Sequence, residues 1–302
     1  MFVAQLIGFT LLFIASVSSS ISMNFQKLAQ YQTDYEDPRS RQNVRQEKLE
    51  TPVCIRPLFV IALVLSAAAS ILDFFALAWL PTAVIGVFGS MSIIINLGVT
   101  RIILFEKPSK KEYFAISCVI IGCMISITSV GESVSELTPP ELIQRPISSI
   151  FIILNWVVFI SCSIVLEFVT ITPSISKLGY PFIGGALGAQ NVCMGKYIAY
   201  VVVSAHESGR LTVRGDNLFA AILLCILSVV IHIYWLNKGL KKEDAYYCII
   251  VYQSAWFMFT TISGIIVYDN MNNVLWTGWL LFIAGIFTTT YGVYLISTLH
   301  KT

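Results

Sequence analysis

Residues 58–105 read LFVIALVLSAAASILDFFALAWLPTAVIGVFGSMSIIINLGVTRIILF. Two apolar runs, 58–80 and 82–105, meet at Leu80 and Pro81, and their only charges are Asp73 and Arg101. About 20 apolar residues in a helix cross the hydrocarbon core of a bilayer. Each run is therefore a candidate span, and the pair reads as a tight helical hairpin. Asp73 would then carry its carboxylate at membrane depth, where charges are rare and normally face a polar interior or a partner.

Working outward, the pattern repeats along the 302 residues. Further apolar runs fall at 3–23, 113–130, 147–170, 181–203, 217–236, 245–268 and 274–299, which makes nine predicted spans. Composition agrees, with 56% hydrophobic and 12% charged residues and a mean hydropathy of +0.78. The fold class is all-α: a polytopic integral membrane protein whose first partner is the lipid bilayer. The first run ends in small serines, as a cleavable signal does. It lacks a basic leading region, however, and continues into Asn24, Gln26 and Lys27, so it is expected to stay as a helix.

The chain divides into a first helix (1–23), a polar cytoplasmic loop expected to be disordered (24–56), helices two to four (57–130) and helices five to nine (147–302). The loop mixes both charge signs and has no apolar period. A net charge of +2 gives no reason to expect nucleic acid as a partner. Six of the seven cysteines (Cys118, Cys123, Cys162, Cys193, Cys225, Cys248) fall inside spans, so neither a disulfide framework nor a metal knuckle is expected. Nothing resembles a P-loop, an activated nucleophile or a HExxH helix, so no enzyme and no cofactor are predicted.

Lysine and arginine set the orientation. With the N-terminus outside, the cytoplasmic segments hold Lys27, Arg39, Arg41, Arg45, Lys48, Arg56, Lys107, Lys110, Lys111, Lys177, Lys238, Lys241, Lys242 and Lys301. The opposite side keeps Arg145, Arg210 and Arg214. The bias predicts a non-cytoplasmic N-terminus and a cytoplasmic C-terminus. Either the plasma membrane or an endomembrane could house the chain.

Sliding the chain by 162 residues lays Leu65-Ser66 on Leu227-Ser228 and the second helix on the seventh. Glu106-Lys107 then meets Tyr268-Asp269, and the fourth helix overlies the ninth. Matched helices are an odd number of spans apart, so the halves enter the membrane in opposite senses. Inverted repeats of this kind are the usual build of alternating-access carriers.

Several segments resemble the NIPA magnesium transporter family. Ser18-Ser19-Ser20 with Asn24-Phe25-Gln26-Lys27 is similar to the end of that family's first helix. Asp73-Phe74, Ala76, Ala78, Pro81, Phe88-Gly89 and Ser92 resemble its second and third helices. Glu106 and then Cys118, Ile121 and Gly122 match the positions that follow. In the second half, Gly185-Ala186-Leu187 with Lys196 is similar to the family's Gly-Ala-Leu…Lys helix, and Gly285-Ile286 with Gly292-Val293-Tyr294-Leu295 to its last. The most specific match is Trp235-Leu236-Asn237-Lys238-Gly239-Leu240. Where the family usually has Glu three residues before Asn, this chain has Ser70 and Asp73, so it looks like a divergent member.

The resemblance implies the drug/metabolite transporter fold, here as four plus five helices. It also implies passage of a divalent cation, chiefly magnesium, without ATP hydrolysis. Magnesium is then the transported ion, not a resident cofactor, and a homo-oligomer is an admissible assembly. Only Asp73 and Glu167 are carboxylates well inside spans, and magnesium takes one or two carboxylates plus neutral oxygens and water. Both are therefore candidate metal-binding groups. Gln190, Asn191, Asn96 and Gln253 offer amide oxygens along the ion pathway, in competition with a role as interhelical hydrogen-bond glue. Asn237, near a helix end, is a further pathway candidate that could equally serve as a cap. His232 has no companion at metal spacing and reads as a packing residue. Gly184, Gly185 and Gly188 predict close helix approach. A carrier of an organic solute such as a nucleotide sugar, and a non-transporting scaffold, are the alternatives.

Overall fold

The computed structural model describes residues 2–35, 57–79, 82–128, 146–168, 173–209, 215–268 and 276–299. Among them run nine α-helices and no strand. In chain order they are α1 (Phe2–Tyr35), α2 (Pro57–Trp79), α3 (Thr82–Ile103), α4 (Lys110–Thr128), α5 (Pro146–Phe168), α6 (Pro173–Ser208), α7 (Gly215–Lys242), α8 (Ala245–Ser263) and α9 (Trp276–Leu299). A π-helical turn, Gly264–Tyr268, closes α8.

Five of these helices (α1, α2, α5, α7 and α9) are long and apolar enough to cross a membrane. Two others, α6 and α8, pack inside the bundle. In α6 the run from Ile183 to Gln190 is buried, as are Ala245 to Ala255 of α8. Their neighbours are other helices, so these segments can carry polar groups that a lipid-facing helix cannot. The lipid-facing character lies instead on the periphery. Ile150, Ile153, Val157 and Ile164 are exposed along α5, and Phe219, Leu223, Ile226 and Val230 along α7. A chain with this many membrane-length helices is an integral, multi-pass membrane protein.

Several boundaries differ from the sequence reading: α6 runs on to Ser208 and α7 to Lys242, past the expected 203 and 236. Residues 24–35, expected in a loop, continue α1 as helix, and α6 begins at Pro173, ahead of Pro181. The reason in α1 is that its polar side chains find partners on α7, set out below. The remainder of the expected loop, 36–56, lies outside the described residues, as does the Leu80-Pro81 joint.

The most extensive helix pairings are α1 with α2, α6 with α7, α6 with α8, and α4 with α9. Smaller ones join α3 to α8, α2 to α6 and α1 to α7, while α5 rests on α6 and on the π turn. The α4 start is fixed by a capping box. Ser109 N donates to Glu112 Oε2 at 2.6 Å, and Glu112 N donates to Ser109 Oγ at 3.3 Å.

The α4–α9 pairing depends on glycine. A Cβ on Gly122 would stand 2.5 Å from Thr289 N and 2.7 Å from Gly285 O, so only a bare backbone allows the approach. Gly122→Leu should therefore force the helices apart, at about 1–3 kcal/mol or more for overpacking. A lowered melting temperature of the purified protein checks this. Gly98→Ala is the control expected to be silent, because nothing lies within 4 Å of its Cβ position.

Candidate functional site

A cavity of about 250 Å³ lies where α1, α2 and α3 face α6, α7 and α8. Its wall is mixed. Leu12, Phe74, Val192, Val229, Ile233, Leu236 and Trp256 make it apolar, and Gly188 and Gly195 let it approach the α6 backbone. Set into that wall are Ser16, Ser19, Ser66, Ser70, Ser92, Gln26, Asn191, His232, Tyr252, Gln253 and Asp73.

Spacing along α2 explains the acid's placement. Ser66, Ser70 and Asp73 stand at i, i+4 and i+7, on one helical face. Asp73 is the single carboxylate among the residues lining the cavity, and no lysine or arginine joins it there. No hydrogen bond or ion pair is made to it by any described residue. A charge so placed in an apolar bundle is costly unless something else compensates it.

The sequence candidates separate into three groups. Asp73, Asn191 and Gln253 come together on the cavity. Asn191 Oδ1 accepts from Cys225 Sγ at 2.8 Å, whereas Gln253 Oε1 is buried with no partner. Asn96 and Gln190 are fully buried and also lack partners, but they are not among the lining residues. Glu167 lies apart on an exposed rim: its Oε2 accepts from Lys238 Nζ at 2.5 Å and from Tyr234 Oη at 3.1 Å. Glu167 is not among the residues lining the cavity, so the structure does not bring it together with Asp73 there. Among the described residues no three His, Cys, Asp or Glu side chains gather as a metal cage.

Asn237 belongs to a different construction. Its Nδ2 donates to Gln26 Oε1 at 2.9 Å, and its Oδ1 accepts from Gln30 Nε2 at 3.1 Å. Lys27 Nζ, buried beside them, donates to Leu240 O at 2.5 Å and Glu243 O at 2.6 Å. Leu240 is in the last turn of α7, where carbonyls have no helical partner and a cation suits the dipole. Lys177 Nζ adds an ion pair to Glu243 at 3.1 Å, and Tyr246 N on α8 donates to Glu106 Oε2 at 3.1 Å. This polar clasp joins α1, α6, α7 and α8 at one end of the bundle, next to the cavity wall at Gln26 and Leu236.

Sequence reasoning passed over the serines, His232, Gln26 and Lys27. A signal for some was present, since Ser16 and Ser19 repeat at i and i+3 as Ser66 and Ser70 do at i and i+4. His232, read as a packing residue, lines the cavity. Close approach at Gly185 agrees with expectation. A Cβ there would overlap the Tyr252 carbonyl oxygen and sit 2.9 Å from Ala255 Cβ.

Comparison with known proteins follows the same outline. A family model described as "Magnesium transporter NIPA" matches residues 3–302. A probable magnesium transporter NIPA7 of Arabidopsis thaliana is 25% identical over 213 residues, which is 69% of this chain. The match spans 63% of that relative's length. No solved structure matches the chain.

Proposed function

The chain belongs to the NIPA magnesium transporter family, and from that premise we propose that it carries a divalent cation, magnesium first, across its membrane. The carrying observation is the carboxylate of Asp73, without a partner among the described residues, on a cavity between the two groups of helices. A cation there offsets the buried charge that the protein itself leaves uncompensated.

Alternating access is the mechanism the packing favours, with no ATP hydrolysis. Exchanging α1, α2, α3 and α4 for α6, α7, α8 and α9 preserves the main pairings. The α1–α2 pairing becomes α6–α7, α1–α3 becomes α6–α8, and α2–α6 becomes α7–α1. Meanwhile α3–α8 and α4–α9 map onto themselves, as partners across a twofold axis do. This supports an inverted repeat of four plus five helices, with α5 unmatched, and nine spans in all. In that scheme the Lys27–Asn237 clasp is the closed end of the pathway. The distribution of lysine and arginine supports a cytoplasmic position for that end.

The organic-solute reading loses ground on one observation. The diphosphate of a nucleotide sugar calls for cationic groups, and no lysine or arginine lines the cavity. The test is uptake by the reconstituted protein of magnesium, calcium, a nucleotide sugar and an organic amine. Magnesium flux is expected, and flux of the sugar nucleotide alone would overturn the reading. Glu167→Gln is expected to leave uptake essentially unchanged, because an exposed ion pair contributes about 1 kcal/mol or less.

A further inference from the structure

Resting on that reading, we infer that the cation occupies the cavity with its water shell intact, touching the protein only through water. A hexahydrated magnesium ion presents nothing but water hydrogens to its surroundings. A wall built for it must therefore offer acceptors, and the hydroxyls and rings must have their own protons turned elsewhere.

Several groups on the cavity wall meet that requirement. Asp73 supplies the charge and two acceptor oxygens, and Gln253 Oε1 is an acceptor with no donor in the protein. Ser70 Oγ donates its proton to Ser66 O at 3.0 Å, which leaves the Ser70 oxygen with lone pairs. Ser92 Oγ donates to Ser16 Oγ at 2.9 Å, with the same result for the Ser92 oxygen. His232 Nδ1 lies 3.0 Å from Ser228 O. A carbonyl only accepts, so the proton of the neutral ring is on Nδ1, and Nε2 is left as an acceptor. Four helices thus contribute acceptors, namely α2, α3, α7 and α8.

Size and ligand count point the same way. Six waters at roughly 30 Å³ each fill about 180 Å³, so a cavity of about 250 Å³ has room for the hydrated ion. An inner-sphere magnesium site would need several oxygens converging at about 2.0–2.1 Å. The cavity instead has one carboxylate among dispersed neutral acceptors, and no cluster of acidic, histidine or cysteine ligands occurs among the described residues. Magnesium sheds water reluctantly, so a wall that reads the shell avoids that cost at each passage.

Hexaamminecobalt(III) tests this directly. It has the size and outward hydrogens of the hydrated ion, and its ligands do not exchange. Equilibrium dialysis of the purified full-length protein is expected to show saturable binding of the complex that excess magnesium displaces. The same complex should block magnesium uptake in liposomes. Asp73→Asn should abolish the displaceable binding, and Glu167→Gln should retain it. Gln253→Met keeps volume but removes an acceptor, and should weaken binding by about fivefold, the factor for one ordinary hydrogen bond. Unchanged melting temperatures separate these effects from misfolding. If magnesium enters liposomes but the complex neither binds nor inhibits, the ion is stripped at the site and the inference falls alone. If the complex binds through Asp73 but magnesium is not moved, the transport reading falls and the hydrated-cation site stands.

Discussion

Asp73→Asn is expected to lower magnesium uptake by reconstituted protein by at least about tenfold, with the protein still folded. The substitution keeps the side chain's shape and one acceptor oxygen but removes the single charge on the cavity wall. Hydrogen bonds to a charged group contribute about 1.5–3 kcal/mol each. Losing even one such interaction with the ion or its waters costs a factor of ten or more. Folding should not suffer, because no described residue depends on this carboxylate, and a neutral amide is cheaper than an acid at membrane depth. Asp73→Glu should retain partial uptake, since the charge survives but moves by one methylene. An Asp73→Asn protein that transports like the wild type would mean the ion goes elsewhere.

Lys27→Met is expected to show the largest loss of stability outside the glycine crossings. Lys27 is 4% exposed, and its ammonium donates to two carbonyls at and just past the end of α7, Leu240 O and Glu243 O. Glu106, Glu243 and Asp244 surround it with negative charge. Methionine matches the stem's length and apolar character but strands those carbonyls and removes the buried cation from beside the acids, although Glu243 keeps its ion pair with Lys177. A penalty of about 2–4 kcal/mol follows from unpartnered buried acceptors near charge. At about 2–4 °C per kcal/mol for a chain of this size class, the melting temperature should fall by roughly 5–15 °C. Asn237→Ala, which breaks only neutral bonds to Gln26, Gln30 and the Ile233 carbonyl, should cost distinctly less. Equal losses from the two variants would mean the clasp's charge is unimportant.

How far the sequence carries depends on which physical signal each feature emits. Apolar length locates helices well, because burying backbone in lipid leaves few other structures, and all nine runs coincide with helices among the described residues. Polarity misleads at α1, where Gln26, Lys27 and Gln30 look like loop residues. They are helical because the end of α7 gives each a partner, a contact between residues more than 200 positions apart. For the site, an acid inside an apolar run was enough to single out Asp73, and lone amides led to Asn191 and Gln253. The same signal could not tell which way an amide faces, so Asn96 and Gln190 look identical in sequence yet lie off the cavity. Glu167 was legible as a carboxylate but not as Lys238's partner. The serine face of α2 and the tautomer of His232 need the neighbouring carbonyls before they mean anything.

Two regions of resemblance gain a joint meaning from the packing. Asn24-Phe25-Gln26-Lys27 and Trp235-Leu236-Asn237-Lys238-Gly239-Leu240 meet in space as the two sides of the clasp. If that end must open during transport, these bonds are the ones that break, with those of Lys27 the costliest among them. The neutral pairs are worth about 1 kcal/mol each.

The most direct measurement is the position of a bound ion. Manganese(II), diffused into crystals of the reconstituted or detergent-purified protein, gives an anomalous signal that locates it without reference to activity. The account predicts one strong peak inside the cavity, facing Asp73 from α2 and Gln253 from α8, and absent in Asp73→Asn. A peak beside Glu167 and Lys238, with the Asp73 cavity empty at saturating manganese, would contradict it.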